Sequence, residues 1–531
     1  MKSSPDLEEV ASQTLEENVD PGLIKRVNIG KGADRAAELI GDQHVDVTEE
    51  DDRRIRHKTD LHILTILTWV YFLQILDKST LGYGAITGMR EDCNLSSAQY
   101  SLVSSIAPIA QLAWQPFSSW LIVRVPHRIL MPTLCLGWGI AQTCMAACSG
   151  YGSLLATRFL LGLFEAGCLP LFSVITSQWY RRAEQPVRVA CWYSTNGVAT
   201  IFAAAVSYGL TKVEHPVLQS WRILFLFVGL LTIVTAPIVY WFLDSDVAGA
   251  RFLNDFERLQ AIERLRANQT GTGSREFKWN HVQEALLETK AWLFMGIALT
   301  LNITTIVTNT FGPLLLEGIG MEKSLTSLLN MPFGALQVIV IMPSAYLAHR
   351  LKIKSAPLAA LMLPVLAGIL MLYLLPRDRT ASLLAAYYLL AFGFAGNPII
   401  VSWMVSNTAG TTKKSVVMSI FNAGSSAGNI IGPLLFSTAD APEYKPGLRK
   451  TMGTTCALVG IVGLLTVNLW VLNRFQEHRR EQNGKPRKLR DLSMENRYTS
   501  ERQETEDGVQ LGTNAFKDLT DRENDEFVYI Y

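Results

Sequence analysis

Four charged side chains stand in stretches of sequence that are otherwise apolar: Asp77 and Lys78, then Arg158 and Glu165. A charge inside a bilayer costs at least roughly 2.5–3.5 kcal/mol on insertion scales, so such residues normally face a partner or a water-filled path. Lys78 and Arg158 are two cations that together invite an anion. Glu165 follows Arg158 by seven positions, which places it two helical turns further on the same face and roughly 10 Å deeper. Desolvation at that depth favours the uncharged carboxyl, the property of a proton carrier. Asp77, beside Lys78, balances the cations when no anion is bound. A structural reading competes: Arg158 pairs with Asp77, and Glu165 with Lys78 or a backbone amide, as staples between two helices, with Asp77 and Lys78 close enough to the interface to snorkel. Both arrangements can hold in different states of one cycle.

The segments that position these residues must be membrane helices for that chemistry to matter. The chain has 531 residues, 49% hydrophobic and 18% charged, with formal net charge +1. Residues 1–60, 243–290 and 474–531 hold 63 of its 95 charges, which leaves about 9% charge in the remainder, where a soluble chain carries roughly 25%. A soluble globular domain is excluded for that part, and disorder is expected only in the tails. The near-neutral balance argues against a nucleic-acid binder. Six of the seven cysteines lie in apolar runs (Cys135, Cys144, Cys148, Cys168, Cys191 and Cys456) and read as buried hydrophobes.

Twelve runs reach the roughly 20 apolar residues that a helix needs to cross a bilayer core about 30 Å thick. They lie near 62–84, 97–119, 128–148, 151–176, 187–208 and 221–242, then 292–316, 324–348, 356–375, 383–408, 416–436 and 451–473. The stretch from Met1 to His57 is polar and acidic, so the first run must act as its own insertion signal. Basic residues cluster before the first helix (Arg53, Arg54, Arg56, Lys58), after the last (Arg474, Arg479, Arg480, Lys485), and in the loops of one side (Arg124, Arg128, Arg181, Arg182, Arg188, Arg350, Lys352, Lys354, Lys413, Lys414). The other side has fewer: Arg90, Lys212, Lys323, Arg377, Arg379, Lys445, Arg449 and Lys450. Both termini are therefore expected in the cytosol.

The chain repeats itself. The single shift that carries Arg158 onto Tyr387 lands the first six runs on the second six, and in that register Leu160-Leu161 and Ala166-Gly167 meet Leu389-Leu390 and Ala395-Gly396. An all-α membrane protein with twelve transmembrane helices in two six-helix pseudo-repeats is thus expected. It divides into a disordered cytosolic tail (1–61), a bundle (62–242), a linker (243–291) with a short helix near 254–266, a second bundle (292–473) and a disordered cytosolic tail (474–531). Parallel six-helix halves are a secondary-transporter plan, with the substrate between the halves near the midplane. The repeat breaks symmetry at the charges, since Arg158 maps to Tyr387 and Glu165 to Phe394.

Other features are less specific. Asn302, Asn309, Asn397, Asn422 and Asn429 fall in apolar runs of the second half and can donate to a carboxylate, although interhelical hydrogen bonding is the commoner use of such residues. Of these, Asn302, Asn397 and Asn422 are taken as candidate substrate contacts, with Lys78 and Arg158. Gly424, Gly428 and Gly432 make two overlapping GxxxG steps, a helix-packing face or else a cavity wall. Trp114, Trp138, Trp192 and Trp403 are candidates to stack on a planar ligand or to pack. The sequence holds no Walker loop, no His/Cys metal spacing and no nucleophile elbow, so no cofactor, metal or enzyme activity is expected.

Several stretches resemble a known family. RFLLGLFEAG at 158–167, followed by Pro170 and by QWYRRAEQPVR at 178–188, is similar to the helix-four region of the anion:cation symporter family of the major facilitator superfamily. FLQILDKSTLGYG at 72–84, WRILFLFVG at 221–229, the linker at 250–279, NMPFGALQ at 330–337 and TAGTTKKSVVMSIFNAGSSAGNIIGPLLF at 408–436 extend the likeness over roughly 50–480, specifically to the fungal allantoate permease branch. The resemblance implies the major facilitator fold and uptake of an organic anion with protons. In such relatives the helix-four arginine engages substrate and the glutamate seven positions on takes the proton, which by motif are Arg158 and Glu165. Lys78 matches their helix-one cation. One departure is that the superfamily's loop signature between helices two and three, with its Asp-Arg pair, is eroded to SSWLIVRVPHR at 118–128.

The expectation is a proton-coupled symporter for a small organic anion such as allantoate, another ureide, a vitamin acid or a related carboxylate. Lys78 and Arg158 would hold the carboxylate, and Glu165 and Asp77 would handle the proton and the charge balance. The partners are the anion, protons and the lipid bilayer, in the plasma membrane, and the working unit is a monomer. A proton-antiport exporter of a metabolite or drug is the alternative, followed by a non-transporting nutrient sensor.

Overall fold

The computed structural model describes residues 35–40, 45–211, 218–270, 273–318, 323–376, 378–436, 444–495 and 514–531; Lys212, Arg377 and most of the N-terminal tail lie outside these, as do the side chains of Asn309 and Lys323. Each of the twelve apolar runs coincides with a helix or a broken helix pair. In order they are Thr65–Ile86, Ser97–Arg124, His127–Met145, Tyr151–Glu165 with Cys168–Trp179, Gln185–Thr211 and Ser220–Phe242, then Thr289–Gly318, Lys323–Leu351, Ser355–Leu374, Thr380–Leu389 with Gly396–Ser406, Thr411–Leu434 and Lys445–Gln482. They are numbered as spans one to twelve. Among the described residues, eight helices are long and apolar enough to cross a membrane by length and composition, or nine if Trp279–Leu287 and the helix after it, bent by 66°, make one span. Spans two, three and eleven fall outside that set, and spans two and eleven are helices that meet between the halves.

The fourth and tenth spans break in the same repeat register. Helix stops at Glu165 and restarts at Cys168, and at the matching place in the second half the 3-10 stretch Leu390–Ala395 leads into Gly396. The halves meet along spans five and eight and along spans two and eleven. At the first of these crossings Gly197 and Gly334 lie against each other's backbone, where a Cβ on either would collide with the other's carbonyl oxygen. Inside the second half, Gly424 and Gly428 face span seven, and a Cβ there would come 2.5 and 2.6 Å from the carbonyl oxygens of Met295 and Leu299. The first GxxxG step, Gly424 to Gly428, is therefore a helix-packing face and not a cavity wall.

One face of the bundle carries the linker helices Asp255–Arg266 and Trp279–Leu287 and the last described residues; we call it the linker face. There the halves touch directly. Lys414 Nζ donates to Ser177 Oγ at 3.1 Å, Ser415 Oγ to the Ser119 carbonyl at 3.0 Å and Ser406 Oγ to Gln185 Oε1 at 3.0 Å, while His349 Nδ1 lies 2.6 Å from the Ala183 carbonyl. The bundle is closed on that face.

The disorder expected over 1–61 and 474–531 does not hold for the described parts of either tail. Helix begins at Glu49, set by a capping box in which Thr48 accepts from the Asp51 amide and Asp51 accepts from the Thr48 amide, and it runs through a π turn at Asp60–Leu64 into span one. Span twelve continues to Gln482, and residues 514–531 pack on the linker face with Phe516, Asp521, Phe527 and Tyr529 buried. Charge composition suggested solvated tails; several of the described charges are instead partnered.

The N-terminal case is an ion cluster. Arg264 of the linker, buried, donates to Glu184 at 2.8 and 2.9 Å and to Asp52 at 2.9 Å, and Arg56 lies 3.2 Å from Asp52 and 3.5 Å from Glu184. Burial alone would raise the Glu184 carboxyl, but Arg264, Arg188, Arg181 and Arg56 outweigh it and hold it down to about 2. Since its folded value is depressed, the stability it supplies is present above the ordinary value of 4.5 and is lost only as pH falls toward about 2. Removing one partner of a buried pair strands the other, at about 3–5 kcal/mol. Arg264→Met is accordingly expected to lower the thermal unfolding midpoint of the purified protein, by the same amount at pH 7 and at pH 5.5. An unchanged midpoint would show that the cluster adds nothing to stability.

Candidate functional site

Asp77 and Lys78 sit mid-way along span one, Arg158 in span four, and Glu165 at the last residue before that span breaks. The fold brings all four together: Asp77 lies within electrostatic reach of Glu165, Arg158 and Lys78, and Glu165 within reach of Lys78 and Arg158. Asp77, Arg158 and Glu165 are buried, while the Lys78 side chain is exposed. None of the four is ion-paired to another. Both Asp77 carboxylate oxygens, the Nε and Nη1 of Arg158 and the Oε1 of Glu165 are buried with no hydrogen-bond partner among the described residues. The staple pairing of Arg158 with Asp77 is thus absent from this conformation.

What holds the charges in place is a set of amides. Gln111 of span two donates to Glu165 Oε2 at 2.9 Å, and Gln115 one turn on donates to the carbonyls of Gln111 at 2.9 Å and Ala166 at 3.3 Å. Gln142 of span three donates to Thr80 Oγ1 at 2.8 Å, and that hydroxyl donates to the Asp77 carbonyl at 2.7 Å, which fixes the turn that carries Asp77 and Lys78. The Trp138 indole adjoins Asp77 without reaching hydrogen-bonding geometry. Tyr100 lies within electrostatic reach of Arg158 and under the Arg90 guanidinium, 5.2 Å from its ring. Sequence reasoning missed Gln111, Gln115, Gln142 and Tyr100; counting buried amides in apolar runs as it counted charges would have found the three glutamines.

The second half answers with aromatics. Tyr387, the repeat partner of Arg158, donates to Asn330 Oδ1 at 2.9 Å and stacks on Phe333 at 4.9 Å, and Phe394, the partner of Glu165, meets the same ring edge-on at 5.9 Å. Tyr83 of span one is within reach of Tyr387. The three asparagines are placed differently from one another. Asn302 donates to the Ala298 carbonyl at 2.8 Å and to Ser425 Oγ at 3.1 Å, a contact between spans seven and eleven. Asn422 crosses between halves, donating to the Ala166 carbonyl at 3.1 Å beside Glu165. Asn397 is buried at the first turn after the break in span ten. Of the tryptophans, Trp192 packs with Tyr71, Phe172 and Tyr193, Trp114 stacks on Phe117, and Trp403 donates to the Ile530 carbonyl.

Residues 67–433 match the family model of the Major Facilitator Superfamily. The chain belongs to that superfamily. An uncharacterized transporter of Schizosaccharomyces pombe is 32% identical over 99% of this chain and 98% of its own length. The thiamine pathway transporter THI73 of Saccharomyces cerevisiae is 30% identical over 90% of this chain and 86% of its own, and the allantoate permease of the same yeast is 29% identical over 95% and 91%. Among solved structures, the human organic anion transporter MFSD10 (TETRAN) matches 76% of this chain and 99% of its own with TM-score 0.56 at 12% identity. A bacterial homolog of the human lysosomal transporter Spinster matches 80% and 98% with TM-score 0.52 at 15% identity. These two share the fold. This superfamily member is a multi-pass membrane transporter of small molecules, not an enzyme, and it resembles the allantoate permease branch at modest identity.

Proposed function

We propose that this transporter takes up a small organic anion together with protons. The observation that carries the reading is the set of buried, unpaired groups at the break of span four: an arginine and two carboxylates in mutual reach, with Lys78 beside them. An arginine with free N–H groups next to a lysine is a receptor for a carboxylate. A carboxyl held by one glutamine and open on its other oxygen has room to bind and release a proton. Asp77 then neutralises the cations when the anion has left. Asn422, which donates to the Ala166 carbonyl beside Glu165, and Asn397, just after the matching break in span ten, are proposed as secondary polar contacts, whereas the amide of Asn302 is already engaged within the second half. The aromatic set around Phe333 supplies an apolar wall for the rest of the cargo.

Similarity to an allantoate permease supports a ureide or related carboxylate as cargo. The basic residues flanking the linker face support a cytosolic orientation for it and for both termini. We take the working unit to be a monomer in the plasma membrane. The test is accumulation of allantoate and a pooled panel of small carboxylates by cells expressing the chain, at acidic and at neutral outside pH. Arg158→Ala at equal surface level is the control. Selective uptake that rises in acid and vanishes in the control is expected. Depletion of a compound from the cells instead would establish export.

A further inference from the structure

The function above uses neither the paired arginines of the QWYRRAEQPVR stretch nor the C-terminal tail. Arg181 Nη2 donates to the Leu492 carbonyl at 2.8 Å, the Ala183 amide donates to the Ser493 carbonyl at 3.0 Å, and Arg182 lies 3.3 Å from Asp491. Arg182 also donates to the Val528 carbonyl at 2.7 Å, with its guanidinium 4.7 Å from the Phe527 ring. Two stretches of the tail therefore fasten on one turn of the first half, between spans four and five.

The same tail is rooted in the second half. Asp521, fully buried, lies 2.6 Å from Lys290 at the start of span seven and 2.8 Å from Lys413 at the start of span eleven. Burial would raise its carboxyl, but the two lysines outweigh that and hold it well below the usual range, so the contact does not loosen at any cytosolic pH. The Ile530 carbonyl accepts from Trp403 at 2.7 Å and from Asn407 at 2.9 Å, the Tyr531 carbonyl accepts from the Lys354 amide at 2.6 Å, and the Tyr529 carbonyl accepts from Asn473 at 2.8 Å. The linker joins in through Lys278, 2.8 Å from Asp518. In this way spans seven, nine, ten, eleven and twelve are tied to the 181–183 turn through one peptide.

We propose that residues 491–495 and 514–531 form a strap that holds the two halves together at the linker face and must detach from the 181–183 turn before that face can open. A rocking transporter has to separate these helix ends in every cycle, and the strap bridges them. The direct polar contacts there are those of Lys414, Ser415, Ser406 and His349, and the strap adds those of Arg181, Arg182 and Ala183, so it adds to the closure. It sets how often the inner side of the site is exposed, and it offers the cell a place to change that frequency without touching the site.

The test is hydrogen–deuterium exchange on the full chain in lipid nanodiscs, comparing the wild type with Arg182→Ala, Asp521→Ala and Asp521→Glu. Arg182→Ala removes the strap's ties through Asp491 and Val528 but leaves those of Arg181 and Ala183 and the root, so residues 514–531 should stay protected while 177–190 exchange about tenfold faster. Asp521→Ala should speed exchange in 514–531, 177–190 and 402–416 together. Asp521→Glu should resemble the wild type. Lys290 and Lys413 keep Glu288 at 3.2 and 2.9 Å, so the Asp521 variants are expected to fold. Unchanged exchange at 177–190 in both Arg182→Ala and Asp521→Ala would overturn the proposal, as would a tail that loosens in Asp521→Ala without affecting 177–190. The readout needs no cargo, so it stands or falls separately from anion–proton symport.

Discussion

Arg158→Lys is expected to raise the concentration of anion needed for half-maximal uptake roughly 10–100-fold while leaving surface level and proton coupling intact. The substitution keeps the positive charge, so long-range attraction to the carboxylate survives. What is lost is the planar fork: a guanidinium can give two parallel N–H bonds to a carboxylate, and an ammonium gives a point contact. Hydrogen bonds to charged groups contribute about 1.5–3 kcal/mol, and one such bond corresponds to that range in affinity. Nε and Nη1 of Arg158 have no partner among the described residues, which is why the cost falls on binding and not on folding. Initial rates over a range of anion concentration give the answer. Unchanged half-saturation would mean that Arg158 acts only as a charge.

Glu165→Gln is expected to abolish accumulation against a gradient while leaving exchange of internal for external cargo near the wild-type rate. Each proton carried with a monovalent anion can sustain about a tenfold concentration ratio per unit of pH difference; with the proton carrier replaced the ratio falls to one. The neutral amide keeps the shape of the side chain and a carbonyl to accept from Gln111, whose bond to Oε2 is 2.9 Å. The Ala166 carbonyl beside it remains tied to Asn422 at 3.1 Å and to Gln115 at 3.3 Å, so the break in span four should persist. The two assays run on one preparation: counterflow with both sides at equal pH, then uptake with the outside acidified. Wild-type accumulation by Glu165→Gln would remove this residue from the proton path.

Much of the fold was legible because a bilayer enforces it. Apolar runs long enough to satisfy their own backbone marked twelve spans, and equal spacing of the two sets of six marked the halves. The intramembrane charges were legible for the same reason: Asp77, Lys78, Arg158 and Glu165 are conspicuous where almost nothing else is charged, and the structure gathers them. The supporting amides were not, because Gln111, Gln115 and Gln142 resemble ordinary polar residues until their neighbours across helices are known. Pairing across the fold also separates the asparagines, which composition treated alike: Asn302 closes a contact inside one half and Asn422 bridges the two. The largest miss was the tail. Charge density marks a segment as solvated only when it lacks partners, and the partners of Asp521 are Lys290 and Lys413, both far from it along the chain and on the other side of span twelve in sequence.

The central claim is that anion and proton cross together. Purified transporter in liposomes loaded with a pH-sensitive dye, with allantoate or the carboxylate singled out by the uptake panel added outside at equal pH, tests it most directly. Internal acidification that tracks anion entry in the wild type, and is absent in Glu165→Gln while the anion still exchanges, is the predicted result. Anion entry with no pH change in the wild type, or with internal alkalinisation, would contradict symport.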